Sequence, residues 1–247
     1  MLTHPTLDQL HELGLHGMAK GFKQIEANPE ARSLTHAEWL ALLLDHEVTL
    51  RRQKRFEARN KQARLRQSAC PEDVDYRRPR GLDRALFMKL AEGQWIRDHR
   101  HLVITGKTGL GKSWLACALG QKACRDDQSV QYHRAPRLFA ELDLARGDGS
   151  YAKLLAKLAK VNVLILDDFG PEPLLPEHRR DLLEIAEDRC GRGSFIITSQ
   201  VPVEHWHQVI GDPTLADAIL DRIIHASYRI ALDGPSMRKP ENPLDAA

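Results

Sequence analysis

The chain has 247 residues, of which 42% are hydrophobic and 28% are charged, and its formal net charge is +2; this length suffices for one core of about 150 residues and a smaller accessory domain. No apolar run approaches the roughly 18 residues of a membrane span and the N-terminus lacks the apolar core of a signal peptide, so we expect a cytoplasmic protein without a membrane partner. The four cysteines lack Cys-x-x-Cys spacing and the twelve histidines lack a His-Glu-x-x-His pattern, which argues against a disulfide framework or a structural metal.

The N-terminal segment, residues 1–68, is predicted to form an all-helical domain. A capping box, Thr35-x-x-Glu38, begins a stretch that contains no Pro or Gly before residue 68. As one continuous helix, this stretch would be about 48 Å long at 1.5 Å per residue. An apolar stripe in its first half is expected to pack against the other helices, and it consists of Trp39, Leu40, Leu43 and Leu44.

The second half of this helix is strongly basic. Residues 51–66, which we call the basic segment, contain eight basic residues and one acidic residue, Glu57. Because the basic residues occur on all faces of the helix, two interpretations stay open: a solvated charged helix, or a surface that contacts DNA phosphates. We favour DNA contact, since the positive charge lies outside the predicted catalytic core. The candidate DNA-binding residues are Arg51, Arg52, Lys54, Arg55, Arg59 and Lys61.

A connector over residues 68–79 and a short helix over residues 82–92 lead to the most informative motif. It follows an apolar run at residues 102–104, matches G-x-x-x-x-G-K-[ST], and comprises Gly106, Lys107, Thr108, Gly109, Leu110, Gly111, Lys112 and Ser113. Glycines let backbone N–H groups surround a phosphate, and the predicted helix over residues 114–123 directs its positive end at the same anion. We therefore predict an ATP site in which Lys112 contacts the β- and γ-phosphates and Ser113 binds Mg²⁺.

A second apolar run, residues 161–166, ends in Asp167 and Asp168. Its composition predicts a strand buried on both faces, as in a parallel sheet. Ligands bind at the carboxyl ends of such strands, so we expect Asp167 to lie beside Ser113 and hold Mg²⁺ through water. Asp168 is the predicted base that orients and deprotonates the attacking water.

A third apolar run, residues 194–200, becomes polar at its end, where Thr198, Ser199 or Gln200 could contact the γ-phosphate or the attacking water. The predicted strands begin at His101 and then cover residues 130–133, 163–167, 195–198 and 228–232. Residues 235–247 are predicted to form a mobile tail.

These residues together resemble the AAA+ ATPases, and more narrowly the IstB-like family of insertion-sequence transposition helpers, with DnaC-type helicase loaders as near relatives. The likeness extends to residues 13–19, 38–40, 81–84, 206–212, 221–223 and 234–238. It implies an α/β fold: a P-loop AAA+ core over residues 69–247 with a five-stranded parallel sheet of order 5-1-4-3-2, a minimal lid and a short tail. The small helical domain, residues 1–68, precedes it.

The same resemblance implies roles for four residues near the phosphates. Arg222 matches the arginine finger that reaches a neighbouring subunit's γ-phosphate, and Arg238 matches a second arginine sensor. Gln200 stands where relatives carry Asn, and Asp168 stands where many carry Glu. Because the aspartate is one methylene shorter, we expect slow hydrolysis.

The sequence therefore predicts an ATPase that uses ATP and Mg²⁺, assembles as a homo-oligomer on duplex DNA, selects target DNA, and recruits or stimulates a transposase. A DnaC-like helicase loader that engages single-stranded DNA is the alternative within the class. A small-molecule P-loop kinase would need an acceptor site and a lid, neither of which the sequence reveals. A DNA-binding scaffold that holds ATP without hydrolysing it is the third alternative.

Overall fold

The computed structural model describes residues 4–237, except the side chain of residue 32. Contacts within the chain divide it into two compact units, Met1–Ala58 and Arg59–Ala247. The boundary that we placed at residue 68 falls inside the second unit, and the division of function at that point stays a prediction. No helix within the described range is both long enough and apolar enough to cross a membrane.

The first unit is helical. Its elements are α1 (Pro5–Glu12), α2 (His16–Glu26), a 3-10 helix (Pro29–Ser33) and the part of α3 (His36–Ala63) that precedes residue 59. Phe22 and Trp39 meet edge to face at 5.2 Å between ring centroids. The buried carboxylate of Glu47 accepts hydrogen bonds from the backbone N–H groups of Gly17 (2.6 Å) and Met18 (3.1 Å), which fixes α3 against the start of α2.

Helix α3 begins as predicted but differs in two respects. Glu38 accepts the backbone N–H of Thr35 at 2.8 Å, and the Thr35 hydroxyl accepts the N–H of Glu38 at 3.3 Å, so the capping box is confirmed. The helix ends at Ala63 rather than at residue 67, because Arg64 adopts a left-handed conformation with φ of 52°. Only half of the expected apolar stripe packs inward: Leu43 and Trp39 contact the core, whereas the exposed residues of the stripe are Leu40 and Leu44.

The second unit alternates helices with parallel strands. Its elements are a 3-10 helix (Pro71–Asp73), α4 (Arg84–Ala91), α5 (Gln94–Arg97), β1 (His101–Gly106), α6 (Lys112–Arg125), β2 (Val130–Arg134), α7 (Ala135–Asp148), α8 (Tyr151–Lys160), β3 (Val163–Phe169), α9 (Pro176–Arg189), β4 (Ser194–Ser199), a 3-10 helix (Val203–His205), α10 (Trp206–Ile210), α11 (Pro213–Ile224) and β5 (Ser227–Leu232).

The five strands form one parallel sheet in the order β2-β3-β4-β1-β5. This confirms the predicted α/β class and the order 5-1-4-3-2, which is the same order taken from the opposite edge. Helices cover both faces, and Val163, Leu164 and Ile165 on β3 are completely buried. The carboxyl ends of β1, β3 and β4 therefore meet at one edge of the sheet, where the predicted site residues lie.

Candidate nucleotide-binding site

At two positions of the loop between β1 and α6, the backbone conformation and the close packing permit only glycine. Gly106 has φ of 143°, and a Cβ atom there would lie 2.3 Å from the carbonyl oxygen of Leu232 on β5. Gly109 has φ of 91°, and its Cβ atom would lie 2.1 Å from the Ser236 hydroxyl. The glycines therefore let the loop lie close to its neighbours as well as expose its backbone.

Lys112 is the first residue of α6, and only 7% of it is exposed. Its ammonium donates hydrogen bonds to the carbonyl oxygens of Gly106 (2.6 Å) and Lys107 (2.9 Å), so it crosses the loop that it follows. It lines a cavity of about 280 Å³ together with Thr108 and Ser113. A cation at a helix N-terminus beside a glycine-rich loop provides an environment suited to phosphate.

Asp167 lies at the end of β3, fully buried, and accepts hydrogen bonds from three hydroxyl groups. Ser113 reaches Oδ1 at 2.7 Å, Thr198 reaches Oδ1 at 2.5 Å, and Tyr132 reaches Oδ2 at 2.5 Å. Burial and this hydrogen bond raise the pKa of Tyr132, which therefore stays a donor. The structure thus brings Ser113 and Asp167 together, as predicted, and adds Tyr132, which the sequence alone did not indicate.

Asp168, unlike the fully buried Asp167, lines the cavity. Its φ of 58° is left-handed, a conformation that costs a non-glycine residue on the order of 1 kcal/mol or more. Its N–H group donates to the Thr198 hydroxyl at 3.1 Å. Its Oδ2 pairs with the Arg134 guanidinium at 2.9 and 3.0 Å, so the predicted base is held by a cation from the end of β2.

Of the three polar residues at the end of β4, two belong to the site. Thr198 bonds both Asp167 and Asp168, and Gln200 accepts a hydrogen bond of 2.7 Å from the Thr108 hydroxyl of the loop. Gln200 also lines the cavity. Ser199 instead donates to the backbone carbonyl of Phe169 at 2.7 Å and is fully buried.

Arg66, Arg80 and Met237 also line the cavity, and no pattern in the sequence had assigned them to it. Arg66 lies with its Nη1 atom 3.8 Å from Asp167 Oδ2 and 4.0 Å from Asp168 Oδ2. Arg80, only 3% exposed, donates a hydrogen bond to the carbonyl oxygen of Leu110 at 2.9 Å and thereby stabilises the glycine-rich loop. The N–H group of Met237 donates to the carbonyl oxygen of Gly109 at 2.9 Å, so the first residues of the predicted mobile tail contact the loop.

The family model described as IstB-like ATP binding protein matches residues 8–244 of the sequence. The chain belongs to the IstB-like family of ATP-binding proteins. It is 61% identical over 239 residues to y4pL of Sinorhizobium fredii, named as an insertion-sequence ATP-binding protein, and the match covers 97% of this chain and 98% of that one. It is 51% identical over 203 residues to the ATP-binding protein of insertion sequence IS1162 from Pseudomonas fluorescens, covering 82% and 88%.

Two solved structures share the fold of this IstB-like protein. The structure of DnaI matches with a TM-score of 0.59 and 24% identity, over 67% of this chain and 92% of that one. The DnaC helicase loader matches with a TM-score of 0.52 and 19% identity, over 60% and 87%. The core therefore has the α/β P-loop fold of these two proteins.

The structure places Arg222 away from the cavity of its own chain. Its guanidinium donates to the carbonyl oxygen of Ala218 and to Glu187 Oε1, both at 2.8 Å, and it is not among the described residues that line the cavity. Asp221 pairs with His225 at 3.4 Å instead of with Arg222. Arg238 of the IstB-like protein lies outside the described residues.

Most candidate DNA-binding residues are exposed on α3, and Arg59 is half-buried. Arg51 pairs with Glu47 at 2.7 Å, and Arg59 pairs with Asp127 at 2.6 Å. These ion pairs give Arg51 and Arg59 a structural role within the fold. Arg52, Lys54 and Lys61 present their charges to solvent, as a phosphate-binding surface requires.

Proposed function

We propose that this IstB-like protein hydrolyses ATP with Mg²⁺ while assembled as a homo-oligomer on duplex DNA in the cytoplasm, and that the assembly selects target DNA and recruits or stimulates a transposase. The observation that carries the ATPase proposal is the 2.7 Å contact between Ser113 and Asp167, with Asp168 on the wall of the same cavity. The relatives named for insertion sequences support the transposition context.

Ser113 at the start of α6 and Asp167 near the end of β3 fit a magnesium ion chemically. A serine hydroxyl and a carboxylate are oxygen ligands of the kind that Mg²⁺ takes, usually alongside phosphates and water. Ser113 and Asp167 would hold the ion, and a bound ion would neutralise charge on the phosphates. Thr198 and Tyr132 fix both oxygens of Asp167, so its carboxylate is oriented before any ligand arrives.

Asp168 is proposed as the base that takes a proton from the attacking water. Thr198 fixes its backbone N–H group, whereas Arg134 occupies its carboxylate. Two contacts from Arg134 to Oδ2 hold the carboxylate in place, so Asp168 must leave Arg134 before it can accept a hydrogen bond from an attacking water. We therefore expect slow turnover in the isolated protein and faster turnover once assembly on DNA separates this pair.

Arg222 is proposed to act in the site of a neighbouring copy. It is 31% exposed at the side chain and is held by Ala218 and Glu187 rather than by groups of its own cavity. Because a guanidinium that acts in trans must be absent from its own site and accessible from outside, this position supports the role that the family resemblance implies.

The proposal is tested with Asp168→Asn, assayed on duplex and single-stranded DNA with and without ATP. We expect the variant to bind ATP normally, to lose turnover and to remain on duplex DNA. Asp188→Asn, which removes a carboxylate from an exposed position on α9, is the matched control and should behave as wild type. Normal turnover by Asp168→Asn would exclude it as the base, and a preference for single-stranded DNA would favour helicase loading.

A further inference from the structure

Arg66 belongs to the basic segment by sequence but to the nucleotide cavity by position. Helix α3 ends at Ala63, Arg64 turns the chain with φ of 52°, and Arg66 then lies on the wall of the cavity. Its side chain is 47% exposed, so solvent and ligands can reach it. It is therefore a cation in the opening of the site, beside the two carboxylates proposed for Mg²⁺ and for the attacking water.

The backbone at Arg66 is fixed on the helix that follows the phosphate-binding loop. Leu65 lies so close to Gly120 of α6 that a Cβ atom on that glycine would come within 3.1 Å of Leu65 Cδ2. Burial raises the pKa of the Cys117 thiol on α6 to about 11, and hydrogen bonds from the backbone of Gln67 and Arg66 oppose that rise. Arg66 is thus positioned by α6, the helix that begins at Lys112.

The present partners of Arg66 leave its guanidinium suited to a stronger acceptor. Its Nη1 atom is 3.8 Å from Asp167 and 4.0 Å from Asp168, and both distances exceed the length of a hydrogen bond. A hydrogen bond with Tyr132 and the two carboxylates raise the pKa of Arg66, which stays charged. A guanidinium forms its strongest hydrogen bonds in a bidentate arrangement with phosphate or carboxylate, and neither carboxylate receives one here.

We propose that Arg66 binds the γ-phosphate of ATP in its own subunit and thereby links the nucleotide to the last turn of α3. The carboxylates beside Arg66 mark the γ-phosphate end of the site, and Arg59 and Lys61 lie within seven residues of it along the chain. This inference rests on the proposed ATPase and DNA-binding function. On this proposal, Arg66 both recognises the γ-phosphate of ATP and transmits its presence to the DNA-binding part of α3.

The experiment measures binding of a slowly hydrolysed ATP analogue and of ADP, each with Mg²⁺, by equilibrium fluorescence titration. Arg66→Gln should lose about tenfold or more in affinity for the ATP analogue, the size of a lost hydrogen bond to a charged group, and less than about twofold for ADP. Arg66→Lys should fall between. Arg192→Gln, at an exposed position in the turn after α9, is the matched control and should keep both affinities. An unchanged preference for ATP in Arg66→Gln would overturn the proposal.

The same variants test the link to DNA. Arg66→Gln should keep its affinity for a DNA duplex without nucleotide and lose the increase caused by the ATP analogue. Equal weakening of DNA binding with and without nucleotide would make Arg66 a simple DNA contact and would contradict the link.

A measurement on the wild type avoids any effect of substitution on folding. Labelling with phenylglyoxal, read by mass spectrometry, should show Arg66 protected by the ATP analogue more than by ADP, with Arg64 labelled equally in both. Equal labelling of Arg66 in the two states would overturn the proposal. Equally weak ATP binding by the wild type and by Lys112→Ala would contradict the proposed nucleotide site itself. Normal ATP binding by the wild type without protection of Arg66 would contradict only the role proposed for Arg66.

Discussion

The charged groups at the nucleotide site, in the wall of the cavity and directly behind it, differ from the exposed basic residues of α3 in burial and in partners. Lys112 is 7% exposed with two carbonyl partners, and Asp167 is fully buried with three hydroxyl partners. Arg52 and Lys54 are exposed and lie on different faces of the helix. Buried charges with hydrogen-bond partners have fixed positions and can recognise one ligand geometry. Exposed charges contribute an electrostatic field that is screened by salt and attracts many anionic ligands alike.

This difference predicts how each region responds to substitution. In the cavity, loss of one group should remove a specific step, because no neighbour can take its place. On α3, loss of one charge should reduce binding by a small, roughly additive amount. We therefore expect the largest effects from substitutions in the cavity and the smallest from substitutions on α3.

Lys112→Ala should abolish detectable nucleotide binding, since the point charge that faces the phosphates is lost. The sheet does not depend on this ammonium, so circular dichroism should report an intact fold. Nucleotide titration measures the loss, and Lys153→Ala, an exposed lysine on α8, is the control and should keep its ATP affinity. A folded Lys112→Ala variant with unchanged ATP affinity would remove Lys112 from the site.

Arg222→Ala should bind ATP nearly normally and lose about 10³-fold or more in turnover, because an arginine supplied in trans stabilises charge on the transferring phosphoryl group. It should also lose ATP-dependent assembly on DNA, measured by sedimentation. Glu187→Gln removes its partner on α9 without removing the guanidinium. If both variants lost turnover equally, the ion pair rather than the arginine would be required.

Arg134→Gln should raise turnover without DNA by about threefold to tenfold, because the Asp168 carboxylate is then no longer held by the guanidinium and can face the attacking water. Steady-state phosphate release measures the change. The contrasting result, a variant as slow as wild type without DNA, would show that the pair with Arg134 does not restrain Asp168.

Replacement of Arg52, Lys54 and Lys61 by Glu should weaken DNA binding across sequences and reduce the log–log salt slope by about one unit for each phosphate that is no longer neutralised. Arg51 is left in place because it pairs with Glu47, which holds the start of α2. Lys153, Lys157 and Lys160, exposed on α8, provide a control with the same change of charge. An effect of equal size in that control would remove any special role for α3.

The sequence predicted those parts of the site that parallel-sheet geometry determines. Ser113 follows β1 and Asp167 lies near the end of β3, and the carboxyl ends of these parallel strands share one edge of the sheet, so their proximity could be predicted without knowledge of side-chain packing. Tyr132 contacts the Asp167 carboxylate and Arg134 contacts the Asp168 carboxylate. Both contacts depend on the register in which β2 pairs with β3, with Arg134 opposite Asp167. No local pattern in the sequence determines that register.

The end of α3 shows what the local pattern could not determine, namely the direction in which Arg66 points. The sequence of the basic segment gives the positive charge of Arg66 but not the direction of its side chain. The expected helix end at residue 67 would have placed Arg66 on α3. The left-handed Arg64 ends α3 at Ala63 and turns Arg66 into the cavity. Most L-residues avoid this conformation, so its position is set by packing rather than by preference.

The shared site is the central claim, and mixing two inactive variants tests it most directly. Lys112→Ala has an intact Arg222 but binds no nucleotide, whereas Arg222→Ala binds nucleotide but lacks the arginine. In a mixed assembly, some interfaces join a working loop to a working Arg222, so ATPase activity should partly recover. No recovery at concentrations where light scattering shows co-assembly would contradict the shared site and return Arg222 to a role within its own subunit.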